Sequence, residues 1–488
     1  MKQHGINVVS GRWNIIIRMC AASAILAAVL VFSAALVLHL YYQQGVYWDF
    51  ITHYLYSEAL TNGYFYKSLL GGTLPLAIQN QNHFYIEPFR APLMSVVVAP
   101  FNLLPMQDAI PAYLAFEVVL LLIAAVYLAR SLGISPLLVA PIAMVPYVMV
   151  YLTVLNGAEM LSMILAMFAV SFAARGKWQS GIFVALAALA KYSSLIFLLP
   201  LLFMPKGTRL KAFASAFLTT LPWLIFNLAV FGNPVYSYEY ALNEVFVSPP
   251  PASTSIQAAL FISLHTVFYG LVPFVALAAL LALLVYAKRH KMPGKFDNRY
   301  RIAAAFCAVG LAAWFAFAVD GSIATLPRWG YIVYVGAVPL LSLLIYDLSA
   351  SAGNAFAHGK QVHAVQYAAY FAVLLIFFTA TYYAYVQMGS HPFGSFLGSR
   401  SQVLLEAVQQ VHSHGLYSCG FVSNAWPYLQ LYGIKAHNPH YLNSTMYKYP
   451  ILLFDSFAGS GNQAAENNIS MEYNYSGYTI LIPSNHAC

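Results

Sequence analysis

Residues 19–40 read MCAASAILAAVLVFSAALVLHL, an apolar run without Asp, Glu, Lys or Arg. An α-helix of this length rises about 33 Å, which is enough to cross the roughly 30 Å hydrocarbon core of a bilayer. The run is too long for the apolar part of a typical signal peptide, so we interpret it as a retained membrane span. It is followed by Val46-Tyr47-Trp48-Asp49-Phe50, which sets a carboxylate among aromatic residues just beyond the span.

The composition indicates a membrane protein. Of the 488 residues, 61% are hydrophobic, 16% are aromatic and only 8% are charged, which excludes an ordinary soluble globular protein. The net charge of +8 does not indicate nucleic-acid binding, because the basic residues fall mostly in short turns between apolar runs. The fold class we expect is an all-α polytopic membrane bundle of about 11 transmembrane helices.

The basic turns predict the topology. The predicted spans are 19–40, 110–129, 135–153, 159–174, 178–190, 192–204, 212–231, 258–287, 302–319, 329–346 and 364–386. With a cytoplasmic N-terminus, most of the 23 Lys and Arg residues then lie in cytoplasmic segments, as the positive-inside rule requires. An odd number of spans places the C-terminus outside the cytoplasm. We therefore expect a multi-pass cell-membrane protein.

Two short apolar segments depart from ordinary spans. Residues 178–204 carry Lys191 near their middle, so we interpret them as two half-length segments that break at this lysine. If this region were a single helix, the membrane orientation of every later span would be reversed. The run Pro92–Leu104 is short and close to prolines, and we expect a juxtamembrane or re-entrant helix there.

The chain divides into two predicted domains. Residues 1–394 form the membrane domain, with long outer loops at 41–91 and 231–258. Residues 395–488 form a small extracytoplasmic α/β domain, with a helix at 401–412, strands at 420–423, 451–454 and 478–482, and a short helix at 426–432. Cys419 and Cys488 both lie in this domain, and whether they form a disulfide is left open.

The first outer loop carries the candidate chemistry. A carboxylate at a membrane boundary can act as a general base toward a hydroxyl acceptor, and Asp49 is our candidate; the alternative is a solvated loop carboxylate. The other candidate substrate-binding residues of this loop are His53, Glu58, His83, Glu87 and Arg90. Asp49, His53, Glu58 and His83 also offer ligands to a divalent cation, but their spacing is not diagnostic, and we expect no cofactor.

Three cations are predicted on the same side of the membrane as Asp49. They are Arg90, Lys191 and Arg328. Cations opposite a general base suit a phosphate leaving group, because they neutralise its charge. Structural alternatives remain open: Arg90 pairs with Glu87, Lys191 extends outward to the membrane surface, or Arg328 is an interfacial anchor beside Trp329.

The order of these segments resembles the GT-C superfamily of integral-membrane glycosyltransferases. The segments are Trp48-Asp49-Phe50 with Tyr54, Phe89-Arg90-Ala91-Pro92-Leu93, Glu159–Phe203, Asn227–Pro234 and Pro327-Arg328-Trp329-Gly330-Tyr331. Within the superfamily the chain is most similar to polyprenyl-phosphate-mannose-dependent and protein-mannosyltransferase-like enzymes. The resemblance implies Asp49 as base and Lys191 or Arg328 near the donor phosphate. The chain lacks the Trp-Trp-Asp-X-Gly run and the Asp-X-Asp pair of oligosaccharyltransferases, which puts metal dependence in doubt.

The function we expect is transfer of a sugar, mannose or another hexose or pentose, from a polyprenyl- or dolichyl-phosphate donor to a hydroxyl acceptor. The acceptor is a glycolipid, a lipid-linked oligosaccharide or a protein. One alternative is a lipid-linked-sugar transporter or flippase, which predicts inverted repeats and mid-span polar residues that we do not find in the sequence. Another is a non-catalytic membrane assembly protein, in which Asp49 and Lys191 are dispensable.

Overall fold

The computed structural model describes a mostly helical chain. The residues described are 3–44, 48–61, 90–145, 158–239, 241, 275–283, 297–319, 326–356, 362–390, 406–407, 409–416, 421–423, 436–437, 451–454, 469–475 and 478–483.

Eleven α-helices and two 3₁₀ segments have defined bounds among these residues. They are α1 (Gln3–Gln44), α2 (Trp48–Thr61), α3 (Leu93–Val98) continued by a 3₁₀ turn (Ala99–Leu103), α4 (Met106–Leu132), α5 (Pro136–Ala143), α6 (Ala158–Ala174), α7 (Ser180–Ala190), a 3₁₀ helix (Tyr192–Phe203), α8 (Lys206–Phe231), α9 (Asn298–Val319), α10 (Leu326–Phe356) and α11 (Val362–Ser390). Residues 236–239, 275–283, 406–407 and 409–413 are also helical.

Six segments of the described chain are long and apolar enough to cross a membrane. They are Met19–Tyr42, Asp108–Leu132, Lys206–Phe231, Asn298–Ala316, Gly330–Ser351 and Ala364–Tyr382. Each overlaps a predicted span. The predicted spans at 159–174, 178–190 and 192–204 form shorter apolar helices, and those at 135–153 and 258–287 fall partly outside the described residues. The count of about 11 spans therefore stays a prediction.

Local sequence signals explain several helix ends. Gly133 ends α4 and Gly232 ends α8, both with positive φ (70° and 71°), a backbone conformation that glycine adopts without steric cost. Ser135 caps α5, because its Oγ accepts from the Leu137 backbone N–H at 3.3 Å. Pro136 then occupies the first helical position, where no backbone donor is needed.

Helix α6 is the centre of the bundle. It is buried along nearly its whole length and contacts α4, α7, α9 and α10. Helices α9 and α10 approach each other closely, since a Cβ added at Gly336 would lie 2.1 Å from the Cys307 backbone nitrogen. The glycine therefore allows the two backbones to touch.

Several basic turns gather at one end of the bundle. The Arg175 guanidinium lies 4.7 Å from the centre of the Tyr127 ring, and Arg299 donates to the Leu132 carbonyl at the end of α4. Asn298 Nδ2 donates to the last carbonyls of α6, those of Ala173 and Ala174, at 3.0 and 2.8 Å. Because helix C-termini leave carbonyls unpaired and negative, these donors satisfy them. We refer to this as the basic end; its orientation in the membrane stays a prediction.

The C-terminal residues contain a five-stranded sheet. Its strands are β1 (Phe421–Ser423), β2 (Ala436–His437), β3 (Ile451–Phe454), β4 (Ile469–Tyr475) and β5 (Tyr478–Pro483), in the order β2-β1-β3-β5-β4. Strands β2, β1 and β3 are parallel, and β3, β5 and β4 are antiparallel. Strands β1, β3 and β5 lie at the three predicted positions. The predicted helix at 426–432, Cys419 and Cys488 lie outside the described residues, and a separate extracytoplasmic domain remains a prediction.

Candidate functional site

Helix α2 carries the candidate base and is held by α3 and the turn after it. Asp49 lies in the first turn of α2; its side chain is outside the described part. One turn later His53 is 3% exposed, and its Nδ1 lies 3.1 Å from Ser95 Oγ on α3. Asn102 Nδ2 donates to Ser57 Oγ at 2.9 Å. His53 therefore helps to fix the position of α2 on α3, and its predicted role in substrate binding stays a prediction.

Glu58 is half-buried on the next turn of α2. Burial raises the pKa of this carboxyl, and a hydrogen bond from the Tyr54 side chain partly opposes the rise. Burial and the Glu58 charge also raise the pKa of Tyr54. His83 and Glu87 lie outside the described residues, so their predicted roles are untested.

Arg90 closes the first loop beside two other segments. Its carbonyl oxygen accepts from the Tyr192 hydroxyl at 3.3 Å, and that hydroxyl accepts from Trp223 Nε1 at 3.1 Å. The Tyr192 and Tyr238 rings lie 4.3 Å apart, centre to centre. Burial raises the pKa of Tyr238 to about 12, so its phenol is neutral at physiological pH. The loop end, the 3₁₀ helix and the end of α8 therefore meet around Tyr192.

Lys191 lies at the predicted break between two half-length segments. Its backbone is extended (φ −148°, ψ 115°) between the end of α7 and the start of the 3₁₀ helix, which confirms the break. Its Nζ lies 2.7 Å from Glu159 Oε1 in the first turn of α6. The Lys191 side chain is 23% exposed and that of Glu159 is fully buried. Lys191 thus points to a carboxylate of the bundle, and the alternative in which it extends outward is wrong.

A cluster of hydroxyl groups fixes the chain next to Lys191. The Tyr331 hydroxyl lies 2.8 Å from Ser193 Oγ and 2.9 Å from Ser194 Oγ. Ser194 Oγ also lies 2.6 Å from Ser162 Oγ on α6. These contacts tie the start of the 3₁₀ helix to α6 and α10. Arg328 lies one turn before Tyr331 in α10, but its side chain is outside the described residues.

Sequence reasoning missed two acidic residues of this region. In the sequence, Glu159 is only the first residue of the family-like segment Glu159–Phe203, and Glu117 carries no predicted role. Glu117 is fully buried on α4; its Oε1 accepts from the Tyr113 hydroxyl at 2.7 Å, and its Oε2 has no hydrogen-bond partner among the described residues. Glu117 also lies within electrostatic range of Glu159. A carboxylate inside an apolar run is the sequence signal that could have indicated Glu117.

Glu117, Glu159 and Lys191 make up what we call the acid–lysine cluster. It lies beside the segment that contains Arg90, and Lys191 is its partly exposed cation. A lysine ammonium has three N–H donors, so it can bond to more than one acceptor at a time. The arrangement is suited to binding a phosphate at the edge of the bundle.

A metal site is not tested by these contacts. Within the described residues there is no group of three or more His, Cys, Asp or Glu side chains that could hold a metal ion. Two of the four residues considered as ligands, Asp49 and His83, have no described side chain. The cation hypothesis from the sequence therefore stays open.

Comparison with known proteins supports a transferase. Residues 91–299 match the model of glycosyltransferase family 87, a GT-C-like family of membrane glycosyltransferases. The matched region contains the whole acid–lysine cluster and Tyr192, whereas Asp49, Arg90 and Arg328 lie outside it. A search of curated proteins found no match. The family match indicates a glycosyltransferase.

Proposed function

We propose that this protein transfers a sugar from a polyprenyl- or dolichyl-phosphate donor to a hydroxyl acceptor at the extracytoplasmic face of the membrane. The observation that carries the proposal is a series of contacts: α2 packs on α3, and the loop end at Arg90, just before α3, bonds to Tyr192, the residue after Lys191. The family match supports the class of reaction. The sugar is mannose or another hexose or pentose, and the acceptor is a glycolipid, a lipid-linked oligosaccharide or a protein.

The chemistry requires a base and a stabilised leaving group. Asp49 accepts the proton of the acceptor hydroxyl while the oxygen attacks the anomeric carbon. The bond from that carbon to the phosphate oxygen breaks, and its electron pair remains on the polyprenyl phosphate. In one step the anomeric centre inverts. Lys191, with Arg90 and Arg328 as further candidates, stabilises the charge that develops on the phosphate.

The position of the site favours a lipid-linked donor. Lys191 lies between two apolar half-length helices, and α8 beside them is a candidate span with only 17% of its apolar window buried. Leu218, Ile225 and Leu228 of α8 are exposed. An apolar chain can therefore lie along the bundle while its phosphate reaches Lys191, so the donor need not leave the bilayer.

A transfer assay tests the proposal. Purified protein in lipid receives radiolabelled polyprenyl-phosphate-mannose or, separately, the glucose analogue, with a total lipid extract as acceptor. The variants are wild type, Asp49→Asn and Asp297→Asn, the last a matched control at the basic end. We expect label in a new product with wild type and Asp297→Asn, and none with Asp49→Asn.

The outcomes separate the competing functions. Transfer by Asp49→Asn at the wild-type rate would remove Asp49 as the base. If wild type transfers neither sugar but moves the labelled lipid across the bilayer, the transporter function replaces ours. If Asp49→Asn and Lys191→Met both leave the cellular role of the protein intact, it is an assembly protein.

A further inference from the structure

Two turns at the basic end carry positive charge without acidic residues to balance it. The sequence has no Asp or Glu between Glu159 and Glu239. Five basic residues of this stretch fall in the turn after α6 and the first two turns of α8, and we call them the basic patch: Arg175, Lys177, Lys206, Arg209 and Lys211. Among the described residues, none of the five forms an ion pair with a carboxylate. The patch is therefore suited to an anionic partner.

The two turns lie against each other, which brings the cations onto one surface. A Cβ added at Gly176 would lie 3.5 Å from Pro205 Cγ, directly before α8. Ser215 Oγ of α8 donates to the Trp178 carbonyl at 3.2 Å. The backbone of both turns is therefore fixed by packing, and an anion at this surface meets cations from both.

Arg209 is the most deeply placed cation of the patch. It is half-buried, whereas the other four are exposed. Its Nη2 donates to the Met204 carbonyl at 3.2 Å, which orients the guanidinium. Its Nε is buried and has no hydrogen-bond partner in the described part of the chain. A partly buried cation with an unpaired donor costs free energy, which a nearby anion offsets. A planar guanidinium also matches the oxygens of a phosphate.

Apolar side chains beside the cations favour a lipid over a soluble anion. Lys206, Leu210 and Phe217 share one face of α8, because they are four and seven residues apart. Leu210 is 78% exposed and Phe217 is 56% exposed, although α8 is a candidate membrane span. Trp178 is exposed next to Lys177, and tryptophan is common at the membrane–water interface. Cations followed by apolar side chains along one helix fit a charged headgroup followed by its acyl chains.

We infer that the basic patch binds the phosphate of an anionic phospholipid of the surrounding membrane, with Arg209, Lys206 and Lys211 as the cations that hold it. The acyl chains lie along α8 beyond Leu210. This site is separate from the proposed sugar-transfer site, because the patch follows the end of α6 whereas Lys191 bonds to the first turn of that helix. A helix of 17 residues separates the two by about 25 Å.

The test is lipid binding by purified full-length protein in a neutral detergent, with an apparent Kd for each lipid from native mass spectrometry. The probes are dioleoylphosphatidylglycerol, which is anionic, and dioleoylphosphatidylcholine, which is zwitterionic. Glycerol 3-phosphate, which has no acyl chains, is the soluble control. The variants are Lys206→Gln/Lys211→Gln, Arg209→Lys and the control Arg130→Gln/Arg301→Gln. This control removes the same charge from two exposed cations of the basic end that lie outside the patch.

We expect wild type to bind phosphatidylglycerol about tenfold more tightly than phosphatidylcholine, and glycerol 3-phosphate more weakly than either lipid. Lys206→Gln/Lys211→Gln raises the Kd for phosphatidylglycerol about thirtyfold, the effect of two cations near an anionic headgroup. Arg209→Lys keeps the charge but loses the planar donors, and raises this Kd several-fold. The control variant changes it less than about threefold, because salt screens charges more than about 10 Å away.

Four outcomes would overturn the inference. The first is equal affinity of wild type for the two lipids, and the second is a wild-type Kd for phosphatidylglycerol in Lys206→Gln/Lys211→Gln. The third is an equal loss of affinity in the control variant, which would show that only net charge matters. The fourth is glycerol 3-phosphate that binds as tightly as phosphatidylglycerol, which would indicate a soluble anion. Thermal midpoints check folding, and if Arg209→Lys does not fold, the exposed lysine pair decides.

Discussion

The Tyr192 hydroxyl donates to the Arg90 carbonyl oxygen at 3.3 Å, although the two residues are 102 positions apart in the chain. The same hydroxyl accepts from Trp223 Nε1 at 3.1 Å. One phenol therefore joins the end of the first loop, the first residue of the 3₁₀ helix and α8. Lys191 is the residue directly before Tyr192, so this connection lies next to it in the chain.

Tyr192→Phe removes both hydrogen bonds and keeps the ring. We expect a loss of about 1–2 kcal/mol in the free energy of unfolding and a several-fold lower transfer rate, because the loop end is less well fixed. Thermal unfolding and initial rates measure the two effects. Tyr300→Phe is the matched control, because it loses the 2.6 Å hydrogen bond to Asp347 at the basic end. It should lose stability, but the transfer rate per folded molecule should not change.

Lys191→Met leaves the buried Glu159 carboxylate without its cation. We expect a loss of about 3 kcal/mol in stability, since breaking a buried pair costs more than replacing both partners. The neutral double variant Lys191→Met/Glu159→Gln should regain most of the stability in thermal unfolding but no transfer activity. Full activity in the double variant would show that the pair is structural only.

Glu117→Gln should be tolerated, with a change in stability below about 1 kcal/mol. Two buried carboxyl groups near one ammonium carry excess negative charge, so a neutral amide of the same shape suits the site. Glu117→Ala loses the Tyr113 hydrogen bond and leaves a cavity, at a cost of about 2–4 kcal/mol. Equal thermal midpoints for Glu117→Gln and Glu117→Ala would contradict this prediction.

Gly336→Ala should destabilise the protein by about 2 kcal/mol or more, because the new Cβ would lie 2.1 Å from the Cys307 backbone and would push α9 and α10 apart. Gly330→Ala, in the same helix, meets no atom within 4 Å and should be neutral or slightly stabilising. Thermal unfolding of the two variants, side by side, measures the difference. Equal midpoints would exclude the close contact of these helices.

The raised pKa of Glu58 predicts a pH dependence of stability. Between the pKa of the unfolded chain and the higher pKa of the folded one, only the unfolded chain releases the proton, so stability falls as pH rises through this window. As the pH rises above about 4.5, the thermal unfolding midpoint of wild type should therefore fall relative to that of Glu58→Gln, which has no carboxyl group to titrate at this position. If the plots of thermal midpoint against pH run parallel for the two proteins, the burial of Glu58 is contradicted.

Much of the architecture could be predicted from the sequence, because apolar runs and basic turns are local features. The break at Lys191 followed from one charge in the middle of an apolar segment, and strands β1, β3 and β5 followed from short apolar runs in a polar tail. Strand β4 was missed, since its sequence ISMEYNY mixes polar and apolar residues and gains its place by pairing with β5.

The site was only partly predictable. The sequence singled out Lys191 and Arg90 from their charges at membrane boundaries, but it gave Lys191 no partner. Glu159 and Glu117 lie in apolar runs 42 residues apart in sequence, and nothing local indicates that α4 and α6 bring them into electrostatic range. Pairing across helices depends on how they pack.

The sequence alone determined that the chain is a helical membrane protein, because the bilayer requires about 20 apolar residues per span and penalises charge within it. Only the tertiary structure decided which polar groups meet: Lys191 with Glu159, and Tyr192 with both Arg90 and Trp223. Hydropathy acts on each segment separately, whereas a hydrogen bond needs two atoms about 3 Å apart, and only the packing of helices sets that distance.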